Sequence, residues 1–232
     1  MKRQGISQEG LKILACAVML IDHVGAVLLP QSFVLRMIGR IAFPIFCFLL
    51  AEGVHYTRNP RKYALRLAVG AALSELPFDY ALFGGIDLYY QSVMLTMLVG
   101  FGALETMKRL KNPALKLLVV VPFYILAELL RTDYGGGGVL LIALFGLTRE
   151  LPHRTLWQTV GMVVLCGFVM PGLVMFQVGA IAIGVEMLAV LAMVPIALYA
   201  GEKRSHSAAV QWGFYLFYPV HLAVLWALKA LF

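Results

Sequence analysis

Apolar residues do not alternate along this chain. They come in runs of roughly 17 to 25, each near the length that carries an α-helix across a bilayer. The runs fall at 10–29, 34–56, 62–82, 92–110, 113–131, 136–148, 155–170, 174–200 and 208–231. With no strand alternation, helices must satisfy the backbone hydrogen bonds inside lipid. The pattern predicts an all-α, polytopic transmembrane bundle of about nine spans forming one domain over residues 1–232. The sixth run is short and opens on Gly135-Gly136-Gly137-Gly138, so eight or ten spans stay open around residues 132–150. The run at 11–29 is too long for a cleavable signal, holds Asp22-His23, and ends in no small-x-small site.

Composition removes the soluble alternative: 61% of residues are hydrophobic, 13% are charged, and mean hydropathy is +0.86. Cys16, Cys47 and Cys166 all lie inside apolar runs, so neither a disulfide framework nor a metal site is expected. Charge supplies orientation. With the N-terminus in the cytoplasm, fifteen basic residues fall inside: Lys2, Arg3, Lys12, Arg58, Arg61, Lys62, Arg66, Lys108, Arg109, Lys111, Lys116, Arg149, Arg154, Lys203 and Arg204. Four fall outside: Arg36, Arg40, Arg131 and Lys229. That asymmetry predicts a multi-pass inner-membrane protein in contact with membrane lipid, its N-terminus in and C-terminus out. The net charge of +7 is therefore a topology signal, and no nucleic-acid partner is expected.

Polar residues within the apolar runs carry the candidate chemistry, because hydrocarbon makes them costly. Lys12 and His23 lie eleven positions apart. That spacing brings them within about 20° of one azimuth and separates them by roughly 16 Å along a helix. One reading has Lys12 snorkelling to lipid and His23 in an interhelical hydrogen bond. The other has the pair hold two ends of a long anionic ligand. Asp22 is expected to orient or charge the His23 ring. Arg36 and Arg40 share a helix face, either pairing with Asp22 or Glu75 or clamping developing negative charge in a cavity. Glu52 is read as a solvated helix terminus, and Pro77 as a break near the outer end of the third span, with Glu75 and Asp79 beside it. Glu128 and Arg131 are expected to pair, and Glu186 must find a partner. Tyr215 and Tyr218, and Tyr218 and His221, share a face of the last span.

Four blocks resemble the TraX family: Leu11-Lys12 through Met19-Leu20-Ile21-Asp22-His23-Val24-Gly25; Arg36-Met37-Ile38-Gly39-Arg40-Ile41-Ala42-Phe43-Pro44-Ile45-Phe46 with Glu52-Gly53; Glu75-Leu76-Pro77-Phe78-Asp79; and Phe214-Tyr215-Leu216-Phe217-Tyr218-Pro219-Val220-His221. They occur in family order across nearly the whole chain. The resemblance implies an acetyl-CoA-dependent membrane acetyltransferase associated with acetylation of the pilin amino terminus. TraX also looks like a distant relative of the integral-membrane sugar O-acyltransferases, whose first span carries a basic residue, ten others, then histidine. Lys12 and His23 fit that spacing, and Tyr218-Pro219-Val220-His221 resembles the final-span motif of that group.

The residues fit acetyl transfer without the family name. A thioester donor needs a binding channel, a base for the acceptor, and donors for the oxyanion. Lys12, Arg58, Arg61 and Arg66 are candidates for the phosphates of acetyl-CoA. His23 is the candidate base with Asp22 its partner, and Arg40, Tyr218 and His221 are further catalytic candidates. Arg36, Glu75 and Asp79 are candidates for an acceptor: pilin, a sugar or a small amine. A proton-coupled transporter would also use buried Asp, Glu, His and Arg, but no duplicated halves are found. A scaffold would tolerate loss of His23.

Overall fold

The computed structural model describes residues 5–170, 172–178, 181–201 and 207–231. Lys2, Arg3, Lys203 and Arg204, four of the basic residues assigned to the inner face, lie outside them. Helix starts follow local capping chemistry. The Ser7 side chain accepts from Gly10 N (3.1 Å) and opens α1, Gln8–Val27, with Glu9 in a first turn that favours negative charge. The second run is two helices, α2 (Phe33–Gly39) and α3 (Ala42–Tyr56), separated by a turn at Arg40 and Ile41. Asn59 caps α4, Pro60–Leu82, through Lys62 N, with Pro60 in its first turn. Pro77 does not end α4 as expected. The element runs on to Leu82, a proline inside a helix being tolerated at membrane depth.

Next come α5 (Val93–Lys108), α6 (Pro113–Leu118), α7 (Val120–Leu129) and α8 (Gly135–Thr148). Then α9 (Arg154–Val164) continues into a π-type turn over Leu165–Val169. The eighth run departs from expectation. It starts as an antiparallel hairpin of β1 (Val174–Val178) and β2 (Ile181–Gly184), with a register shift between Val174 and Phe176. Only Val185–Ala192, a 3-10 helix, and α10 (Met193–Ala197) are helical. The run is rich in β-branched residues that suit strands, which apolar length alone does not distinguish from a helix. Finally α11 spans Ala208–Lys229 with Pro219 inside it.

At the centre is α3, buried on nearly every face, with Ile45 and Phe48 packed against Phe145 and Ile142 of α8. The first cavity-bearing layer is α1, α4 and α11, in mutual contact. Cys16, Cys47 and Cys166 are buried free thiols. One end of the bundle gathers the start of α1, the ends of α3 and α5, and the end of α10: Ile6 bridges Tyr199, and Lys108 Nζ donates to Val54 O (2.8 Å). The other end joins the start of α5 to the α7–α8 turn through the bridge of Gln91 and Thr132. Large apolar residues face outward around the bundle: Leu65, Leu118, Val194 and Val220 are each more than half exposed. So many exposed large apolar side chains suit a lipid surrounding.

Candidate functional site

Adjacent positions on a helix point about 100° apart, and α1 uses this to build two polar clusters from Asp22 and His23. His23 faces α11. Its Nδ1 lies 2.8 Å from Nε2 of His221, and His221 Nδ1 lies 2.7 Å from the Phe217 carbonyl oxygen. A carbonyl only accepts, so His221 Nδ1–H donates to it. In neutral rings His221 Nε2 is then an acceptor, and His23 Nδ1–H donates to it. His23 Nε2 is then the unprotonated nitrogen of its ring. Both rings are buried. Tyr218 presents its ring edge to His23, centroids 5.8 Å apart, and its buried hydroxyl has no hydrogen-bond partner.

Asp22 faces α2, so the expectation that it would orient His23 is not met. Its Oδ2 takes Arg36 Nη1 (2.6 Å) and its Oδ1 takes Arg40 Nη2 (2.9 Å). Arg40 Nη1 reaches Glu186 Oε1 at 2.7 Å, and Arg40 Nε donates to Arg36 O (3.1 Å). Gly39 allows this: a Cβ there would overlap the Asp22 carboxylate. Glu186 thus has the partner its burial demanded.

Two cavities flank these clusters. The first, called inner after the orientation expected from the charges, has a volume of about 810 Å³; it opens among Lys12, Arg58, Lys62 and Arg66, with Glu9 and Glu52 also on its wall, and reaches Met94 and Tyr218. Lys12 Nζ stands 5.0 Å over the Phe214 ring, on the same α1 face as His23. The Arg66 guanidinium lies 5.6 and 5.8 Å from the rings of Tyr63 and Tyr215, and its Nε is buried without a partner. Arg61 is exposed and does not line this cavity, because it lies on the opposite side of the first turns of α4. The outer cavity, about 760 Å³, is lined by Arg36, Arg40, Glu186, Tyr90, Asp133 and Tyr134 among others.

Glu75 and Asp79 join neither arginine. Glu75 accepts from Ser92 N and Oγ (2.7 Å to the hydroxyl), and Asp79 Oδ2 accepts from Asp87 N (3.1 Å). The outer end of α4 faces the start of α5, whose unsatisfied N–H groups take the carboxylate. Glu52 is buried against Arg149 (2.9 Å) and not solvated. Glu128 and Arg131 do not pair: Glu128 Oε1 accepts from Gly136 N (2.8 Å), while Arg131 lies 3.3 Å over the Tyr89 ring.

Asp133, in the α7–α8 turn, accepts from Tyr90 Oη (2.9 Å) and Tyr134 N (3.1 Å). Burial pushes its carboxyl up to about 6 from an ordinary 3.8. A raised carboxyl contributes stability at low pH that is lost as pH rises through about 6. Thermal unfolding followed against pH is expected to show that loss, and Asp133→Asn should flatten it. An unchanged slope in the variant would remove Asp133 as its source.

Residues 7–229 match the family described as TraX protein. The chain belongs to the TraX family. It is 26% identical over 241 residues to a probable fimbrial assembly protein, FimC of serogroup H1, from Dichelobacter nodosus, covering 94% of each chain. An uncharacterised protein of Rickettsia prowazekii (strain Madrid E) is 54% identical over 54 residues, 23% of this chain and 21% of its own. No solved structure matches. Among the described residues two helical stretches, Gln8–Val27 and Phe33–Tyr56, are long and apolar enough to cross a membrane, with mean hydropathy 1.7 and 2.0. With the family and the apolar exterior, they make this TraX chain a membrane-associated protein.

Several residues of the TraX site escaped sequence reasoning. Lys62 was legible as a basic residue one helical turn before Arg66. The Glu52–Arg149 pair, 97 residues apart, left no local signal. Nor did the stacking of Phe43 on Tyr134, centroids 3.8 Å apart and planes 10° from parallel.

Proposed function

We propose that this chain is a multi-pass inner-membrane acetyltransferase that takes acetyl from cytoplasmic acetyl-CoA in the inner cavity and passes it to an amine or hydroxyl in the outer one. One observation carries the reading: a buried pair of hydrogen-bonded imidazoles, His23 and His221, packs against Tyr218, which lines a cavity basic at its mouth. The donor fits the residues present. A volume of 810 Å³ falls within the range of roughly 300–1,000 Å³ that holds elongated small ligands. Arg66 and Tyr218 both line that volume, and Arg66 Nε and the Tyr218 hydroxyl have no hydrogen-bond partner within the protein.

Acetyl-CoA supplies an activated thioester carbonyl; the chain does the rest. Lys12, Arg58, Lys62 and Arg66 bind phosphate at the mouth. His221, anchored on the Phe217 carbonyl, holds the His23 tautomer. His23 Nε2 takes the proton of the acceptor amine or hydroxyl. Tyr218 Oη–H donates to the oxygen on which charge develops. Arg36 and Arg40 line the acceptor side. The fimbrial-assembly relative favours a pilin subunit over a sugar or small amine as acceptor. With the basic mouth in the cytoplasm, the start of α1 is on the inner side, as the charge asymmetry expects. A proton-coupled transporter would use the same buried charges, but an imidazole beside a partnerless tyrosine hydroxyl favours group transfer.

Binding of acetyl-CoA to the detergent-purified protein tests the donor site. Affinity should fall with salt, as phosphate contacts do, and by about tenfold or more in Lys12→Ala or Arg66→Ala. Salt-insensitive binding, or none, would remove the donor from the inner cavity.

A further inference from the structure

We infer that the stacked rings of Phe43 and Tyr134 are the partition between the two cavities, and that they keep outer water off the donor until an acceptor arrives. Phe43 lines the inner cavity and Tyr134 the outer, so the wall between them at this point is two rings thick. The wall itself is geometric; only what it protects rests on the acetyl-transfer reading.

Three features of the chain hold these rings in place. The turn at Arg40 and Ile41 ends α2 and starts α3, placing Arg40 on the outer cavity and Phe43 on the inner within one turn of chain. Tyr134 has φ +63°, a left-handed conformation that a bulky side chain adopts only when its surroundings impose it. Those surroundings are identifiable. Asp133 N donates to Gln91 O (2.8 Å), Tyr90 Oη donates to the Asp133 carboxylate, and the Thr96 hydroxyl donates to the Asp133 carbonyl. The turn is thereby strapped to the start of α5. Behind the rings, Gly138 brings the α8 backbone close: a Cβ there would lie 2.9 Å from Tyr134 Cβ and 3.0 Å from Phe43 Cζ.

The chemistry supplies a reason for a wall. An activated thioester reached by water is lost: the water oxygen bonds to the carbonyl carbon, the carbon–sulfur bond breaks, and acetate and the free thiol leave with the two protons of water shared between them. Excluding bulk water until the acceptor is bound suppresses that reaction. Tyr134 and Phe43 would thus act by position and touch no reacting atom.

The test begins with accessibility, which needs no acetyl chemistry. In sealed vesicles, with Cys16, Cys47 and Cys166 replaced by alanine, Met94→Cys puts a thiol on the inner cavity. A membrane-impermeant maleimide should label it from the side bearing Lys12 and not from the side bearing Tyr90. Adding Tyr134→Ala, or Phe43→Ala from the other face, should open labelling from both sides, whereas Tyr134→Phe should not. In the protein with its own cysteines, Tyr134→Ala should raise acceptor-independent hydrolysis of acetyl-CoA on the order of tenfold. Two-sided labelling with the stack intact, or one-sided labelling after both alanine substitutions, overturns the partition whatever the enzyme does. One-sided labelling opened by the variants, with no acetyl-CoA hydrolysis in any of them, leaves the wall standing and defeats the acetyl-transfer reading instead.

Discussion

His23→Ala is expected to lower acetyl transfer by on the order of a hundred- to ten-thousand-fold, the usual consequence of losing a positioned general base. The protein should still fold and still bind acetyl-CoA, because the cations at the cavity mouth are remote from the imidazole pair. His221→Ala should cost less than His23→Ala. It removes the acceptor that holds the hydrogen on His23 Nδ1, leaving the base present but free to take the wrong tautomer. The informative readout is the pH profile, since His221→Ala changes the environment in which His23 titrates. Transfer assayed with purified variants and a candidate acceptor decides the matter. A folded His23→Ala protein working at near wild-type rate would take His23 out of the mechanism and promote His221. If neither variant is impaired, the scaffold reading gains.

The second large effect is structural. Arg40 is the only described side chain joining Asp22 to Glu186, and its guanidinium is largely buried. Arg40→Ala leaves Glu186 without its ion-pair partner and Asp22 with Arg36 alone. Removing one member of a buried pair costs about 3–5 kcal/mol, a large share of the roughly 5–15 kcal/mol by which proteins are stable. Unfolding of the purified protein should show that loss. Arg36→Ala should cost less, because Arg36 is about one-third exposed and leaves the Arg40 contacts intact. Combining Arg40→Met with Asp22→Asn and Glu186→Gln should recover much of the stability, since the only charge then left without its partner is that of Arg36, which is about one-third exposed. A drop below about 1 kcal/mol in Arg40→Ala, the worth of a solvent-exposed pair, would mean that water reaches these groups.

Much of this protein is set by patterns that operate over a few residues. Apolar run length placed α1, α4 and α11 within a turn or so of where they are. Helical periodicity put Lys12 and His23 on one face, and both indeed meet α11, at Phe214 and at His221. The same periodicity put Tyr218 and His221 together. The cost of charge in hydrocarbon required that Glu186 have a partner. What periodicity cannot do is choose that partner, which is 146 residues away.

Tertiary packing made every such choice. Asp22 went to Arg36 and Arg40, and not to the histidine next to it, because α2 and α11 lie against different sides of α1. Glu75 served the start of α5, and Glu52 met Arg149, for the same reason: a buried charge settles on whichever opposite group or free N–H the neighbouring helix presents. The hairpin at the head of the eighth run was hidden because a short apolar stretch has no period of its own to separate strand from helix. The tautomer of His23 and the wall of Phe43 and Tyr134 arise only where two elements meet. The sequence alone determines which residues must be buried and which faces they share; only the packed helices decide what each buried polar group touches, because those contacts are made between segments far apart in the chain.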